Sequence, residues 1–323
     1  MTDRALSPVR LALTVASGLL LAVPAGIAVA ALSGIGHRWI DILAQFTGPA
    51  LVLAVAGLAG AALSRSRAVS VAGVLVCGLV LAAGSPQWAP PRGKPDGGSA
   101  AFTLYSANLH ALNADAEAMA RSIAASDADV VVLVEVGDAP AAEIDRVLVG
   151  YPHRVATGRL DRPSGPALSM IASRRPLRDI RLRIPALHVV GAVAETPIGP
   201  VTIAGVHMTR PWPYQIQWEQ IRQAEGLSAW ARSVDGPVIA AGDFNSVSSA
   251  RIGKIIRNEG GLVPAPGWPG TWPARLPVFA GLTIDQVYRS PDLTLVERRL
   301  GRSTGSDHRP VVTRFVRAEP PAA

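Results

Sequence analysis

Ile239-Ala240-Ala241-Gly242-Asp243-Phe244-Asn245-Ser246 is the stretch on which the reading of this chain turns. An apolar run ends in a glycine, and an acid and an amide follow two residues apart. Val238 to Ala241 reads as a buried strand, and Gly242 lets the backbone turn at its end. Asp243 and Asn245 then fall on the first loop residues at the rim of a sheet, where a spacing of two points both side chains the same way. A carboxylate and a carboxamide held together there suit phosphate ester chemistry. One takes a proton or binds a metal, and the other holds a water or an oxyanion. Gly-Asp-x-Asn is equally good turn chemistry, so partners elsewhere in the chain must decide.

Length and composition set the bounds. The 323 residues suffice for one large or two modest domains. The net charge of +7 and pI near 10.4 come from arginine, since Lys94 and Lys254 are the only lysines. A basic balance suits an anionic partner such as nucleic acid or phospholipid. The arginines are scattered, and a bias of arginine over lysine explains them equally well. A single cysteine, Cys77, sits in an apolar run and excludes an internal disulfide or a cysteine metal site.

The first 84 residues read as a membrane domain. Leu11 to Leu32 and Ile42 to Leu63 are apolar runs long enough to cross a hydrocarbon core of roughly 30 Å, and Ala68 to Gly84 is a third, shorter one. The arginines orient them: Arg4 and Arg10 precede the first span, and Arg65 and Arg67 form the hairpin between the second and third. These lie on the same side, while the loop between spans one and two has Arg38 offset by Asp41. The expected protein is therefore multi-pass in the cell membrane, with residues after Gly84 extracytoplasmic. A cleaved signal peptide ending near Ala28-Val29-Ala30 is the competing reading of the first run, whose length argues against it. Residues 85–99, rich in Pro and Gly, read as a linker, with Trp88 placed for an interfacial anchor.

From Ala100 to Arg317 the pattern becomes strands alternating with helices, one α/β or α+β domain, followed by a tail over 318–323. Strands are expected at Ala101 to Ala107, Asp129 to Val136, Ala167 to Ser173, Leu187 to Ala194, Val201 to Val206, Thr283 to Tyr288, Leu293 to Glu297 and Val311 to Phe315. Helices are expected at Ala114 to Ala125, with Asn113 as its cap, and at Ala141 to Val149, Tyr214 to Ser233 and Ala250 to Glu259. Ile216, Ile221, Leu227 and Trp230 form the expected buried stripe of the third of these.

The polar residues at the strand ends form a series: Asn108, Glu135, His207, Asp243 with Asn245, Asp285, and Asp307-His308. Each has a plain structural reading. Asn108 can cap a turn, His207 can be a core histidine, and Ser306-Asp307-His308-Arg309-Pro310 can be a loop. Glu135, after five apolar residues, is harder to dismiss, because an unpaired buried carboxylate is costly. Six such coincidences in this order are not turns alone.

The series resembles the endonuclease/exonuclease/phosphatase superfamily over about Ala100 to Arg317, most strongly at Gly242-Asp243-Phe244-Asn245 and Ser306-Asp307-His308. Three spans followed by such a domain also look like a membrane-anchored bacterial branch. The resemblance implies a four-layer sandwich of two packed mixed β-sheets flanked by helices, with the site at one rim. It implies a divalent metal, usually Mg²⁺ with Mn²⁺ as the alternative. Glu135 then matches the main metal carboxylate, Asn108 the amide ligand beside it and Asp307 a second carboxylate. Asp243 matches the acid that aligns or deprotonates the water, and Asn245 the amide that holds that water or a phosphate oxygen. His207 and His308 match the pair that contacts the phosphate, and Asp285 the acid that orients His308.

Oxygen-rich ligands suit Mg²⁺ independently of the resemblance. No tyrosine stands near Ser164 to Ser169, where many relatives carry a tyrosine or basic residue, Gln286 follows Asp285 where histidine or tyrosine is frequent, and no partner for His207 is assignable. His207-Met208-Thr209-Arg210-Pro211-Trp212-Pro213-Tyr214, continued by Trp218, sets Arg210 and Trp212 as candidate substrate contacts. Those aromatics suit stacking on bases, a lipid-facing lip, or plain core packing; Trp268 and Trp272 admit the same split. The expected function is a membrane-anchored, metal-dependent phosphoesterase acting on nucleic acid or on a phospholipid or other phosphorylated small molecule. The bilayer is its other partner, and no protein partner is inferable. The rival is an inactive binding module of the same fold. Transport is disfavoured, since the spans carry no buried charge.

Overall fold

The computed structural model describes residues 7–98, 100–158 and 168–319, which divide into two compact units, Met1–Pro86 and Gln87–Ala323. In the first unit, helix α1 (Pro8–Leu32) opens with proline at its first turn and with the Ser7 hydroxyl accepting from Arg10 N. A short helix α2 (Arg38–Asp41) and a 3₁₀ turn (Ile42–Phe46) lead into α3 (Thr47–Ser64), and Arg65 in the left-handed conformation turns the chain into α4 (Arg67–Trp88). Helices α1 and α3 pack through small residues. A side chain at Gly57 would meet Leu21, and one at Gly60 would meet Ser17. Large apolar residues such as Leu19, Leu63 and Leu75 face outward. Three helical segments, Pro8–Leu32, Arg38–Ser64 and Arg67–Trp88, are long and apolar enough to cross a membrane.

The second unit is built on two six-stranded mixed sheets. The strands, in chain order, are β1 (Phe102–Asn108), β2 (Val130–Val134), β3 (His153–Ala156), β4 (Met170–Ser173), β5 (Leu177–Asp179), β6 (His188–Thr196), β7 (Gly199–His207), β8 (Val238–Asp243), β9 (Val263–Pro264), β10 (Asp285–Arg289), β11 (Leu293–Leu300) and β12 (Val311–Arg317). One sheet runs β11-β12-β1-β2-β4-β3 and the other β5-β6-β7-β8-β10-β9. Alternation along the strands makes the layers. Phe102, Leu104, Val130 and Val132 face Ile203, Ile239, Ala241 and Val287 across the sandwich. Tyr105, Ala107, Val131 and Leu133 point the other way, onto α5 (Ala116–Ala124), α6 (Asp138–Ala142) and α7 (Ile144–Val147). Ala204, Val206, Ala240 and Tyr288 meet α8 (Gln217–Arg232) and α9 (Arg251–Asn258). The result is the expected four-layer sandwich.

Several local expectations change. The cap of α5 is Asp115, whose carboxylate accepts from Ala118 N at 2.8 Å. Asn113 instead ties Leu109 O and Thr304 O together through its amide nitrogen. The helix expected over Ala141 to Val149 is two short pieces, α6 and α7. Helix α8 starts after Ile216, which is exposed, so Ile216 leaves the buried stripe while Ile221 and Leu227 stay in it. The expected strand from Ala167 begins at Met170, with Ala167 itself outside the described residues.

Residues 87–96, read as linker, dock on the second unit. The Gln87 side chain donates to Thr283 Oγ1 at 2.6 Å and accepts from Ser249 Oγ at 3.1 Å. Leu295 N donates to Arg92 O, Glu319 N to Lys94 O and Asp96 N to Arg317 O. The buried Arg289 guanidinium donates to Pro91 O at 2.7 Å.

Candidate active site

Register places the site. Strand β8 runs parallel to β7 and antiparallel to β10, so that His207, Asp243 and Asp285 lie opposite one another in one row. In the other sheet, β1 and β2 run parallel with Asn108 opposite Val134, which puts Glu135 one step beyond. The two rows meet where the sheets pack. Gly242 lets β8 lie close against β7 at this rim: at φ +140° a Cβ there would lie 2.0 Å from Val206 O. Glu135 and Asn245 then turn the chain in the left-handed region, at φ +51° and +48°. Asparagine tolerates that conformation, whereas glutamate is strained in it by about 1–3 kcal/mol, and such strain concentrates at functional sites.

The side chains converge. Asn108 Nδ2 donates to Glu135 Oε1 at 2.8 Å and to Asp243 Oδ2 at 3.0 Å. Ala111 N approaches Glu135 Oε2 at 3.4 Å. His207 Nε2 stands 3.3 Å from Glu135 Oε1, while His207 Nδ1 is buried with no partner among the described residues. His308 Nδ1 faces both oxygens of Asp285 at 3.1 and 3.0 Å, and His308 Nε2 points toward Asp243 Oδ2, 3.9 Å away. Asn245 N donates to Asp243 Oδ1 at 2.8 Å, and the Asn245 side-chain amide donates to Met208 O at 2.9 Å. Glu135, His207 and Asp243 each offer an atom within 4.8 Å of the others, and so do Asp243, Asp285 and His308.

Burial and charge compete here. Asp243, Asp285 and His308 are nearly inaccessible. Burial pulls the His308 imidazole down, but the carboxylates of Asp285 and Asp243 outweigh it and hold its pKa up at about 10. Burial raises the Asp243 carboxyl, Asp285 adds to the rise, and His308 and His207 oppose it. His308 is therefore a cation at neutral pH. Glu135 and Asp243 converge with His207 as oxygen and imidazole donors with no cysteine among them, a set that fits a divalent cation, while Asn108 turns its amide nitrogen to both carboxylates and its oxygen to His110 N at 2.8 Å.

Seven of the expected residues thus come together: Asn108, Glu135, His207, Asp243, Asn245, Asp285 and His308. Asp307 belongs to neither of the two clusters, yet its charge adds to the field that raises His308. Asp307 is exposed and accepts from Trp272 Nε1 at 3.1 Å. Arg210 is exposed on the loop after β7, and Trp212 is half-buried. Sequence reading missed His188, Gln220 and Gln223 and named Trp272 with its role left open. The Trp272 ring lies 6.4 Å from the His308 ring, and His188, opposite His207 in the register, lies 6.3 Å from it. Gln220 and Gln223, buried on α8, hold the backbone of Thr209, Phe244 and Asn245. Two glutamines on the inner face of an amphipathic helix were the available signal for that support.

Comparison with known proteins agrees with this geometry. The family described as Endonuclease/Exonuclease/phosphatase family matches residues 105–308. A crystal structure of an endonuclease/exonuclease/phosphatase from Beutenbergia cavernae DSM 12333 superposes with a TM-score of 0.54 at 22% identity, covering 69% of this chain and 74% of that one. An endonuclease/exonuclease/phosphatase from Bacteroides vulgatus gives 0.54 at 13% identity over 67% of this chain and 99% of that one. A conserved protein of unknown function from Enterococcus faecalis V583 gives 0.54 at 12% identity over 67% and 100%. At these identities the structures speak for the fold alone. No curated protein matches the chain. With the family match spanning more than half of its length and the strand-end series gathered at one rim, this chain belongs to the endonuclease/exonuclease/phosphatase family.

Proposed function

We propose that the chain is a membrane-anchored, divalent-metal-dependent phosphoesterase that hydrolyses phosphodiester or phosphomonoester bonds by in-line attack of water. Its family's enzymes are generally hydrolases of phosphoester bonds and typically need a divalent metal. The observation that carries the reading is the buried line Asp285–His308–Asp243 facing Asn108 and Glu135. Glu135 would hold the metal, with Asn108 beside it and Asp307 as a further carboxylate. When bound, the ion neutralises charge at the phosphoryl oxygens.

The chain's own groups do the rest. Asp243, its carboxyl raised by burial, takes a proton from the attacking water. Asn245 is anchored through its amide nitrogen to Met208 O, which leaves its side-chain oxygen to orient that water. Asp285 fixes Nδ1–H of His308, so that Nε2–H of a cationic imidazole meets the phosphate. His207, beside Glu135, is the second imidazole for the phosphate oxygens or the leaving group. Arg210 and Trp212 contact the substrate beyond its phosphate, which belongs to a nucleic acid or to a phospholipid or other phosphorylated small molecule. The catalytic unit lies outside the cytoplasm.

The test uses the full chain in detergent with bis-p-nitrophenyl phosphate and Mg²⁺ or Mn²⁺. Chelation by EDTA abolishes turnover, and added metal restores it. His308→Ala and Asp243→Ala each lose at least ~10²-fold in kcat. Turnover that survives EDTA, or that either variant leaves unchanged, sinks the proposal. No turnover of any phosphate ester favours a binding module with this fold.

A further inference from the structure

The surface around the site is unusual for a soluble face. Among the described residues of the second unit, nine large hydrophobic side chains are exposed; six of them fall on three loops bound to site residues, and a seventh, Trp218, on the first turn of α8 that one of those loops enters. Leu112, 87% exposed, follows Ala111, whose N–H faces Glu135. Tyr214, Ile216 and Trp218, each at least 64% exposed, stand between β7 and the Gln220 amide that holds the backbone of Phe244 and Asn245. Leu276, Val278 and Phe279 lie on the loop that follows Thr271, whose hydroxyl accepts from Asp285 N at 3.3 Å, and Trp272, whose ring lies 6.4 Å from that of His308. The remaining two, Val149 past α7 and Val296 on edge strand β11, belong to none of these loops. Exposed apolar groups scattered singly need no explanation, but their gathering on the loops of one site does.

Resting on the phosphoesterase reading, we infer that these loops engage a lipid surface and that the substrate is a phospholipid. The side-chain chemistry selects this occupant over nucleic acid. Stacking on bases requires rings, yet Leu112, Ile216, Leu276 and Val278 are aliphatic. Tyr214 and Trp218 are the amphipathic aromatics that settle at headgroup depth, with aliphatic tips reaching the acyl boundary. Exposed Arg210 and Arg275 on the same loops complement an anionic headgroup. The spans tether the site to a chain already held in a bilayer, so even weak engagement by the loops is effectively intramolecular. In the reaction the water oxygen bonds to phosphorus, one P–O ester bond breaks, and a water proton ends on the departing alcohol. No oxidant or further reactant is needed.

The experiment compares two substrates on the full chain in detergent. Phosphatidylglycerol and phosphatidylethanolamine in mixed micelles report the surface, and bis-p-nitrophenyl phosphate reports the chemistry alone. The triple variant Leu112→Ser, Trp218→Ser, Phe279→Ser is expected to melt with the parent. It should lose about 10-fold or more on phospholipid and stay within about twofold on the soluble ester. Cleavage of the soluble ester or of plasmid DNA without cleavage of either phospholipid overturns the inference and leaves the phosphoesterase reading standing. An equal loss on both substrates also overturns it, because the loops then act on the site itself. Failure to cleave any of them takes the phosphoesterase reading down as well.

Discussion

His308 sits where burial and charge oppose each other, and the balance has a measurable sign. Its folded pKa is raised from the ordinary 6.5 to about 10, so its pairing with Asp285 and Asp243 stabilises the fold fully below about pH 6.5. That contribution declines as pH rises and is gone above about 10. The melting temperature of the full chain should therefore fall between pH 7 and 10.5. In Asp285→Asn the fall should shrink and move toward neutral pH, with a loss of about 3 kcal/mol at pH 7 from breaking a buried pair. Parallel melting profiles for parent and variant would show that the pair is not ionised. The identity of these residues was legible in the sequence because a strand end exposes its chemistry: a lone acid or amide after an apolar run has few other reasons to be there. What they touch was not. The left-handed turn at Glu135 and the orphaned Nδ1 of His207 follow from how two sheets close on each other, which no local pattern encodes.

Elements convert that list into a site through register. Pairing His207 with Asp243 and Asp243 with Asp285 needs β7, β8 and β10 to end together, and a slip of one residue would turn every side chain in the row to the other face. The long buried strands were legible because both faces are apolar. The short strands β3, β5 and β9 were not, because two to four residues carry no period and exist by pairing with a neighbour. The same limit hid the nature of residues 87–96. Their Pro and Gly content reads as a linker, yet they bond to the ends of β11 and β12 and satisfy part of the Arg289 guanidinium, a charge with little access to water. Removing them leaves Arg289 with a lost acceptor and takes the backbone partners of Leu295 N and Arg317 O. A segment Ser99–Ala323 should accordingly melt at least about 5 °C below Gln87–Ala323, or fail to accumulate as soluble protein. Equal melting of the two would mean that the contacts of residues 87–96 contribute nothing.

At the scale of the whole molecule, the proposed topology rests on the arginines, which would decide which side of the membrane holds the site. In the proposed three-span topology, the hairpin at Arg65 and Arg67 lies one crossing away from the second unit. Counting outward along the spans, Arg4, Arg10, Arg65 and Arg67 share one side, and Arg38, Arg92 and Lys94 share the other. The structure sharpens this count. Arg92 and Lys94 belong to the docked segment 87–96, and the Lys94 ammonium pairs with Glu319 at 2.9 Å, so both are part of a folded unit and not of a free flanking loop. Positive residues near a span act on orientation during insertion, before distant parts of the chain fold, so the excess of one still sets the direction. The catalytic unit should then face away from the cytoplasm, where its phospholipid substrate would lie in the outer leaflet. An alkaline phosphatase fused after Ala323 reads this directly, because that enzyme folds only outside the cytoplasm. It should be active, and a cytoplasmic reporter at the same position silent. Moving both arginines of the hairpin, by Arg65→Ser and Arg67→Ser with two arginines added after Trp88, should reverse the pair of signals. A silent phosphatase beside an active cytoplasmic reporter in the parent chain would place the site in the cytoplasm and confine its lipid engagement to the inner leaflet.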